Sequence, residues 1–436
     1  MNKKWLLKEI ELWREEEIID SDSAETLQNR YSAKSSSGTL TIIFSILGSL
    51  LIGTGIILIF AKNWYLMPRG IKIFLSIFPL LAGQGLAIFT LIKKYSSLAI
   101  REGVAIFYTA GVFTAIAMIS QTFHLTYDFE RYLLLCGLLT LPIIFILDAV
   151  SPLAVYFYAV VNWGALAMDG SYSPMNTFLF LLLFGLGLLY VFVNRKKVDD
   201  IRHIYTLWIS VVAGFAVTLV FTFGLSLDGA DVFLVCLVFF TMLFAVDKNR
   251  DDFLLPFKPL SVLGGLIIMM ILSYGWMFDP YAYDYYGTTG TSMSVWLATI
   301  IALTMVASLF LGYKHYRKDK GKFLFLIAML STCVLLMAWS VTQTNGFLYT
   351  ILINLITGAV GVGIIVRGVQ SAELSVTNLG MLVTVGLILM RFFDEDMDVF
   401  WRGVAFLILG GLFLFINFRI IKKRKQVLNV EEAAVV

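Results

Sequence analysis

The sequence predicts an all-α, polytopic membrane protein, a transmembrane helical bundle of about 14 spans (12–14) with both termini inside. Three observations predict it. Hydrophobic residues make up 59% of the 436 and charged residues 14%, against about 45–50% and about 25% in a soluble domain. Apolar stretches recur along the chain, most of them near the ~20 residues that a helix needs to cross a bilayer. The basic residues are sorted between alternate loops. Of the 33 Lys and Arg, only Lys62, Arg69, Lys72, Arg131, Arg391 and Arg402 fall on one side, and the other 27 fall on the opposite side. Positive residues in short loops remain in the cytoplasm, so the sorting sets the orientation as N-in, C-in.

Residues 1–39 precede the first span and read as a cytoplasmic helical hairpin. Trp5, Leu6, Ile10 and Trp13 recur at helical spacing beside Glu9, Glu11 and Glu15. Asp20-Ser-Asp-Ser23 breaks this helix, and Asp22 with Glu25 fits a capping-box start for a second helix through Tyr31. Such a hairpin either lies on the inner membrane surface or docks a cytoplasmic protein partner. Thirty-nine residues are too few for an independent enzyme core.

Residues 40–420 form the membrane domain. Spans are expected near 40–60, 71–92, 103–120, 132–147, 153–168, 177–193, 204–226, 230–246, 260–278, 293–312, 323–341, 346–366, 376–390 and 403–418. The first lies behind a charged segment and reads as an uncleaved anchor. The fourth and fifth are short and joined by Asp148-Ala-Val-Ser-Pro152, so a re-entrant pair is an alternative there. Small residues spaced four apart, such as Gly83 with Ala87 and Ala359 with Gly363, fit close helix packing in lipid. Residues 421–436 form a basic cytoplasmic tail. Cys136, Cys236 and Cys333 fall in three different spans and read as small buried hydrophobes.

Several functions are disfavoured. The net charge of +3 comes from clusters that flank spans, with no interleaved stacking aromatics, so no nucleic-acid partner is expected. His203 and His315 belong to the face opposite His124, so no metal site is expected. There is no phosphate-binding glycine loop or nucleophile elbow, and no cofactor is expected. Mid-span polar residues are amides such as Gln84 and Asn354, which argues against a charge-coupled carrier but not against one for neutral or lipidic cargo.

Polar and charged residues collect instead at the predicted outer ends. One loop carries Lys62, Asn63, Trp64 and Arg69. A second carries Gln121, His124, Asp128 and Arg131, and a third carries Arg391, Asp394 and Arg402. The guanidinium fork suits phosphate and carboxylate, so these residues are candidates for binding an anionic head group. Local neutralisation is the alternative, through Arg391 with Asp394 and Arg131 with Glu130. His124 and Asp128 stand four apart and would share a face if their loop were helical. They are then candidates for a general base and its orienter, or for a structural hydrogen-bonded pair. The external loop Asp279–Gly290 is rich in Tyr, which fits the interfacial belt or a sugar contact.

The segment Leu12-Trp-Arg-Glu-Glu-Glu-Ile-Ile19, the glycine-rich first span ending in Asn63-Trp64, Gln121-x-x-His124-x-x-x-Asp128 and Arg391-Phe-Phe-Asp394 together resemble the uncharacterised bacterial membrane-protein family known as domain of unknown function 2157. The resemblance implies a multi-pass protein of the bacterial cytoplasmic membrane and supplies no activity. Three functions are compatible with the residues. The first is binding or transport of a lipid-linked or anionic molecule at the outer leaflet, with membrane lipids as partners. The second is a membrane glycan or lipid transferase using His124. The third is a non-catalytic sensor or assembly factor acting through residues 1–39.

Overall fold

The computed structural model describes residues 9–14, 16, 18–24, 27, 62, 64–93, 97–124, 128–168, 173–193, 201–225, 227, 229–247, 255–278, 294–317, 319–342, 346–371, 373–392, 400, 403, 404, 407 and 411. Among them there are helices and turns and no strand. The first and last expected spans, 40–60 and 403–418, lie wholly or largely outside the described residues.

The chain forms two compact units, residues 1–75 and 76–436. In the first, residues 9–14 and 21–24 are helical, and Ile10 and Ala24 are buried. The second short helix is capped by Asp20, two residues earlier than the expected Asp22. Hydrogen bonding to the Ser23 side chain holds the Asp20 carboxyl below its ordinary range, against a small opposing effect of desolvation. Residues Trp64–Leu66 form a 3-10 turn in which Trp64 is buried, with the Lys72 ammonium 5.8 Å from its ring centroid.

Twelve helices follow: α1 (Arg69–Ile92), α2 (Leu98–Phe123), α3 (Phe129–Leu147), α4 (Ser151–Met168), α5 (Pro174–Val193), α6 (Ile201–Gly224), α7 (Gly229–Val246), α8 (Phe257–Ile271), α9 (Val295–Tyr316), α10 (Lys320–Thr342), α11 (Gly346–Gln370) and α12 (Leu374–Phe392). Each overlays one expected span, from the second to the thirteenth. Ten are long and apolar enough to cross a membrane, and α8 and α12 are shorter apolar helices. The α3 and α4 helices, 19 and 18 residues long, belong to the ten, so a re-entrant pair is not needed.

The bilayer requires every backbone group to find a partner inside the chain, and a helix meets that requirement by itself. Many buried hydroxyls follow the same rule, Thr140 being an exception. Thr109, Thr241, Ser308, Thr332 and Thr357 each donate to the carbonyl four residues back, so they sit in apolar surroundings without an unmet donor.

Two apolar cores organise the second unit. The first lies among α3, α4, α5 and α6, around Tyr156, Trp163 and Phe180. The second lies among α7, α8, α10 and α11, around Leu237, Met269, Met329 and Ile353. Helix α6 is the shared wall. Ala213, Val217 and Val220 enter the first core, while Val211, Phe215 and Leu219 on another face pack on the second.

Close approaches occur at glycines. A Cβ on Gly111 of α2 would meet the backbone of Pro79 and Leu80 on α1 at 2.9–3.0 Å. The tightest helix pair with a short connection, α11 and α12, uses Gly361, Gly368 and Gly380. The expected contact through Ala359 and Gly363 is not used, because both are exposed. They lie one or two residues off the buried stripe of Thr357, Gly361 and Gly368, and that offset turns a helical side chain to another face. The ninth expected span also departs from a plain helix. Helix α8 ends at Ile271, and the chain continues through turns into a 3-10 segment, Gly275–Phe278. The Asn354 amide of α11 donates to the Ser273 carbonyl at 2.9 Å within this transition.

The glycine contacts give a direct test. A Cβ on Gly380 would stand 2.7 Å from the Ile365 backbone nitrogen and 2.9 Å from the Gly361 oxygen. Gly380→Leu is expected to destabilise by about 1–3 kcal/mol, the range for overpacking. Gly363→Leu, where a Cβ meets nothing within 4 Å, should leave thermal unfolding in detergent nearly unchanged.

Candidate functional site

The described helices bring charged residues together at the end of the second unit that the sorting of Lys and Arg predicts to be inside. The centre is the turn between α3 and α4. Asp148 ends α3 in the left-handed region (φ 49°), with its backbone N–H bonded to the Ile144 carbonyl. An aspartate tolerates this conformation better than most residues, although glycine is the usual choice. Around the turn lie the last carbonyls of α3 and the first amides of α4, groups that a helix cannot satisfy internally.

Side chains from three other helices satisfy them. Glu102, near the start of α2, accepts from the Val150 and Ser151 amides at 2.8 Å and from the Ser151 hydroxyl at 2.6 Å. A carboxylate on α2 thus caps the N-terminus of α4. Arg101 donates Nε to the Leu147 carbonyl at 2.6 Å and lies 3.5 Å from the Asp148 carboxylate. Arg202, at the start of α6, donates to the Asp148 carbonyl and pairs with the carboxylates of Asp148 and Glu102 at 3.3 and 3.5 Å. Tyr190 of α5 donates its hydroxyl to Asp148 at 3.0 Å. Both cations therefore sit at a helix C-terminus and the glutamate at an N-terminus, the favourable sign at each, about 0.3–1 kcal/mol apiece for exposed groups. The four charged side chains are 17–28% exposed, so each retains some contact with solvent.

A second tie stands at the same predicted end, between the α9–α10 turn and α11. Asp319 holds Arg367 through two bonds of 2.8 and 2.9 Å and caps α10 through the Lys322 amide at 3.1 Å. The carboxyl of Asp319 is raised by burial, but the bond to Arg367, the Lys322 amide and the two positive charges outweigh this and hold it below its ordinary value. A Cβ on Gly321 would collide with the Arg367 guanidinium at 2.4 Å, so glycine makes the room. Nearby, the Tyr316 hydroxyl donates to the carbonyls of Phe244 and Asp247, both at 2.8 Å. His315 Nδ1 lies 2.9 Å from the Ala245 carbonyl, which fixes the proton on that nitrogen. These bonds close the C-terminus of α7.

The residues expected at the outer end have a different character. Lys62, Arg69, Gln121, His124 and Arg131 are exposed, as is Asp128, and Trp64 is buried. Among the described residues no ion pair engages Lys62, Arg69 or Arg131. The neutralisation of Arg131 by Glu130 is thus not formed. The loop holding His124 and Asp128 is not one helix. His124 ends α2 in the left-handed region (φ 50°), and Asp128 precedes α3 in an extended conformation. The premise for a shared helical face fails there, because one helix ends at Phe123 and the next begins at Phe129. Arg391 lies in the last turn of α12. Its side chain, with Asn63, Asp394, Arg402 and the tyrosine-rich segment 279–290, lies outside the described residues. Among the described residues no group of His, Cys, Asp and Glu could hold a metal ion.

Residues 11–153 match the family model described as a predicted membrane protein, DUF2157. The match is about a third of the chain, and it ends just past the α3–α4 turn, so it includes Arg101, Glu102 and Asp148 but not Arg202. It agrees with the resemblance to an uncharacterised membrane family and names no activity. No curated protein and no solved structure matches the chain. The protein is an integral membrane protein with many apolar helices.

The charged ends predict an acid response. Because the Asp319 carboxyl is lowered in the folded state, its contribution is fully present above its ordinary value of 3.8 and is lost as pH falls through the lowered value. Arg367 is 43% exposed, which limits the pair to about 0.2–1 kcal/mol. Asp319→Asn should lower the melting temperature at pH 7 and flatten its decline below pH 4, as read by calorimetry in detergent.

Proposed function

We propose that this protein resides in a bacterial cytoplasmic membrane, N-in and C-in, and that it binds or transports an anionic or lipid-linked molecule at the outer leaflet. One observation carries the reading. At the predicted inner end, Arg101, Arg202 and Arg367 are all held by carboxylates or helix carbonyls within the protein. At the predicted outer end, Arg69 and Arg131 are exposed with no ion pair among the described residues, on the side where positive charge is normally avoided. A guanidinium that neither orients the chain nor neutralises a neighbour is available for an external anion, and its fork matches a phosphate.

Each outer loop offers its own polar contacts beside the charge. Gln121 and His124 accompany Arg131, while Lys62 and the Lys72–Trp64 pair accompany Arg69. The transferase reading has less support, since His124 makes no hydrogen bond to Asp128, the orienter that a base would need.

Retention of phosphatidylglycerol over phosphatidylcholine by the purified protein, read by native mass spectrometry, tests the proposal. A cation near an anionic head group is worth about 1 kcal/mol, or about five-fold in affinity. Arg69→Gln and Arg131→Gln should each weaken the preference by about that factor, and the double variant more. An unchanged preference in the double variant would sink the idea.

A further inference from the structure

We propose that Arg101, Glu102, Asp148 and Arg202 form a latch that closes the predicted inner end of the helices α2–α6, with Arg202 as the arm that releases. The proposal rests on the outer-face reading above and deepens it. Cargo taken up at the outer end can move inward only if this end opens.

The contacts fall into two tiers. Glu102 and Arg101 bind backbone groups of the α3–α4 turn at 2.6–2.8 Å, which fixes α2 to that turn. Arg202 reaches the same two carboxylates at 3.3 and 3.5 Å from a separate helix. Its departure would leave neither carboxylate stranded. Glu102 keeps Val150 and Ser151, and Asp148 keeps Arg101 and Tyr190. The Leu147 carbonyl and the first amides of α4 therefore stay satisfied whether α6 is attached or not, and the Asp148 carbonyl that Arg202 gives up returns to water at this partly wetted end. Charged groups at a partly wetted end suit this role, because they are resolvated when parted.

Helix α6 touches both cores, with Ala213, Val217 and Val220 in the first. Its Val211, Phe215 and Leu219 pack on the second core. Behind Arg202, on the face toward the first core, Thr206 and Ser210 are buried, with hydroxyls parked on their own helix's carbonyls at 2.6 and 2.7 Å. They are the first side chains that opening would wet. At the opposite end no ion pair among the described residues joins α2 to α3. Among the described residues the ion pairs of α2–α6 thus stand at the predicted inner end.

The test is thiol access at Thr206→Cys in inside-out membrane vesicles, using a membrane-impermeant maleimide. The native Cys136, Cys236 and Cys333 are buried and set a low background. Labelling should be slow in the parent variant. Arg202→Gln should speed it about ten-fold, equivalent to about 1.4 kcal/mol in the open–closed equilibrium. Arg202→Lys, which keeps the charge but loses the guanidinium fork, should give a smaller increase and serves if Arg202→Gln does not fold. Rates equal to the parent in whichever variants fold, or fast labelling already in the parent, would overturn the latch. Arg69→Gln with Arg131→Gln should leave these rates unchanged while lipid preference falls. Failure of the latch and failure of the outer-face reading are therefore read on separate measurements.

Discussion

Everything in the second unit follows from one constraint: in hydrocarbon, a backbone N–H or C=O must be satisfied by the protein itself. Within a helix this is automatic. At helix ends it is not, since four amides and four carbonyls are left over at each helix. The unit meets the shortage by lending side chains between helices. Glu102 of α2 caps α4, Arg101 and Arg202 close α3, and Tyr316 with His315 closes α7. The ionisable residues stand at the helix ends for the same reason. There a charge meets a helix dipole of the right sign and some water. At mid-depth it would meet neither.

The same constraint explains why the two groups of arginines differ. A partly wetted pair contributes little net stability, since solvent screens the attraction. Arg101, Arg202 and Arg367 each have a carboxylate and thus belong to the scaffold. Arg69 and Arg131 are exposed and have no ion pair among the described residues, a state in which a guanidinium costs little. Charge at one end works on the protein, and charge at the other is open to the surroundings.

Helices were legible in the sequence because their signal is local: a long apolar run bounded by charge. Twelve of the expected spans coincide with described helices for that reason, and the end of α3 was already marked by Asp148-Ala-Val-Ser-Pro152. The inner cluster was not legible. Its hydrogen bonds join residues 42 to 100 apart, and sorting Lys and Arg by loop treats them as orientation signals without indicating which carboxylates they meet. One hint was present, an adjacent Arg101-Glu102 pair just before the expected span 103–120, at a helix end where an acid can cap a neighbour. The stripe of Gly361 and Gly368 was missed through its neighbour, Ala359 with Gly363. Both have helical spacing, and only the position of α12 decides which faces a partner. His124 and Asp128 have the four-residue spacing of a helical pair, yet His124 is itself left-handed and ends α2.

Those two left-handed residues, His124 and Asp128's counterpart at the other end, Asp148, make the division of labour concrete. Both end a helix where glycine would be free of strain. At His124 the imidazole makes no hydrogen bond to Asp128, so only the backbone has a defined role in closing α2. At Asp148 the side chain meets Tyr190, Arg101 and Arg202 while the backbone carbonyl takes a second bond from Arg202. A glycine there would relieve the conformation and remove the point where α2, α5 and α6 converge. The aspartate is therefore explained by what it gathers. The turn between α3 and α4 is the place where a change in one helix is felt by the other four.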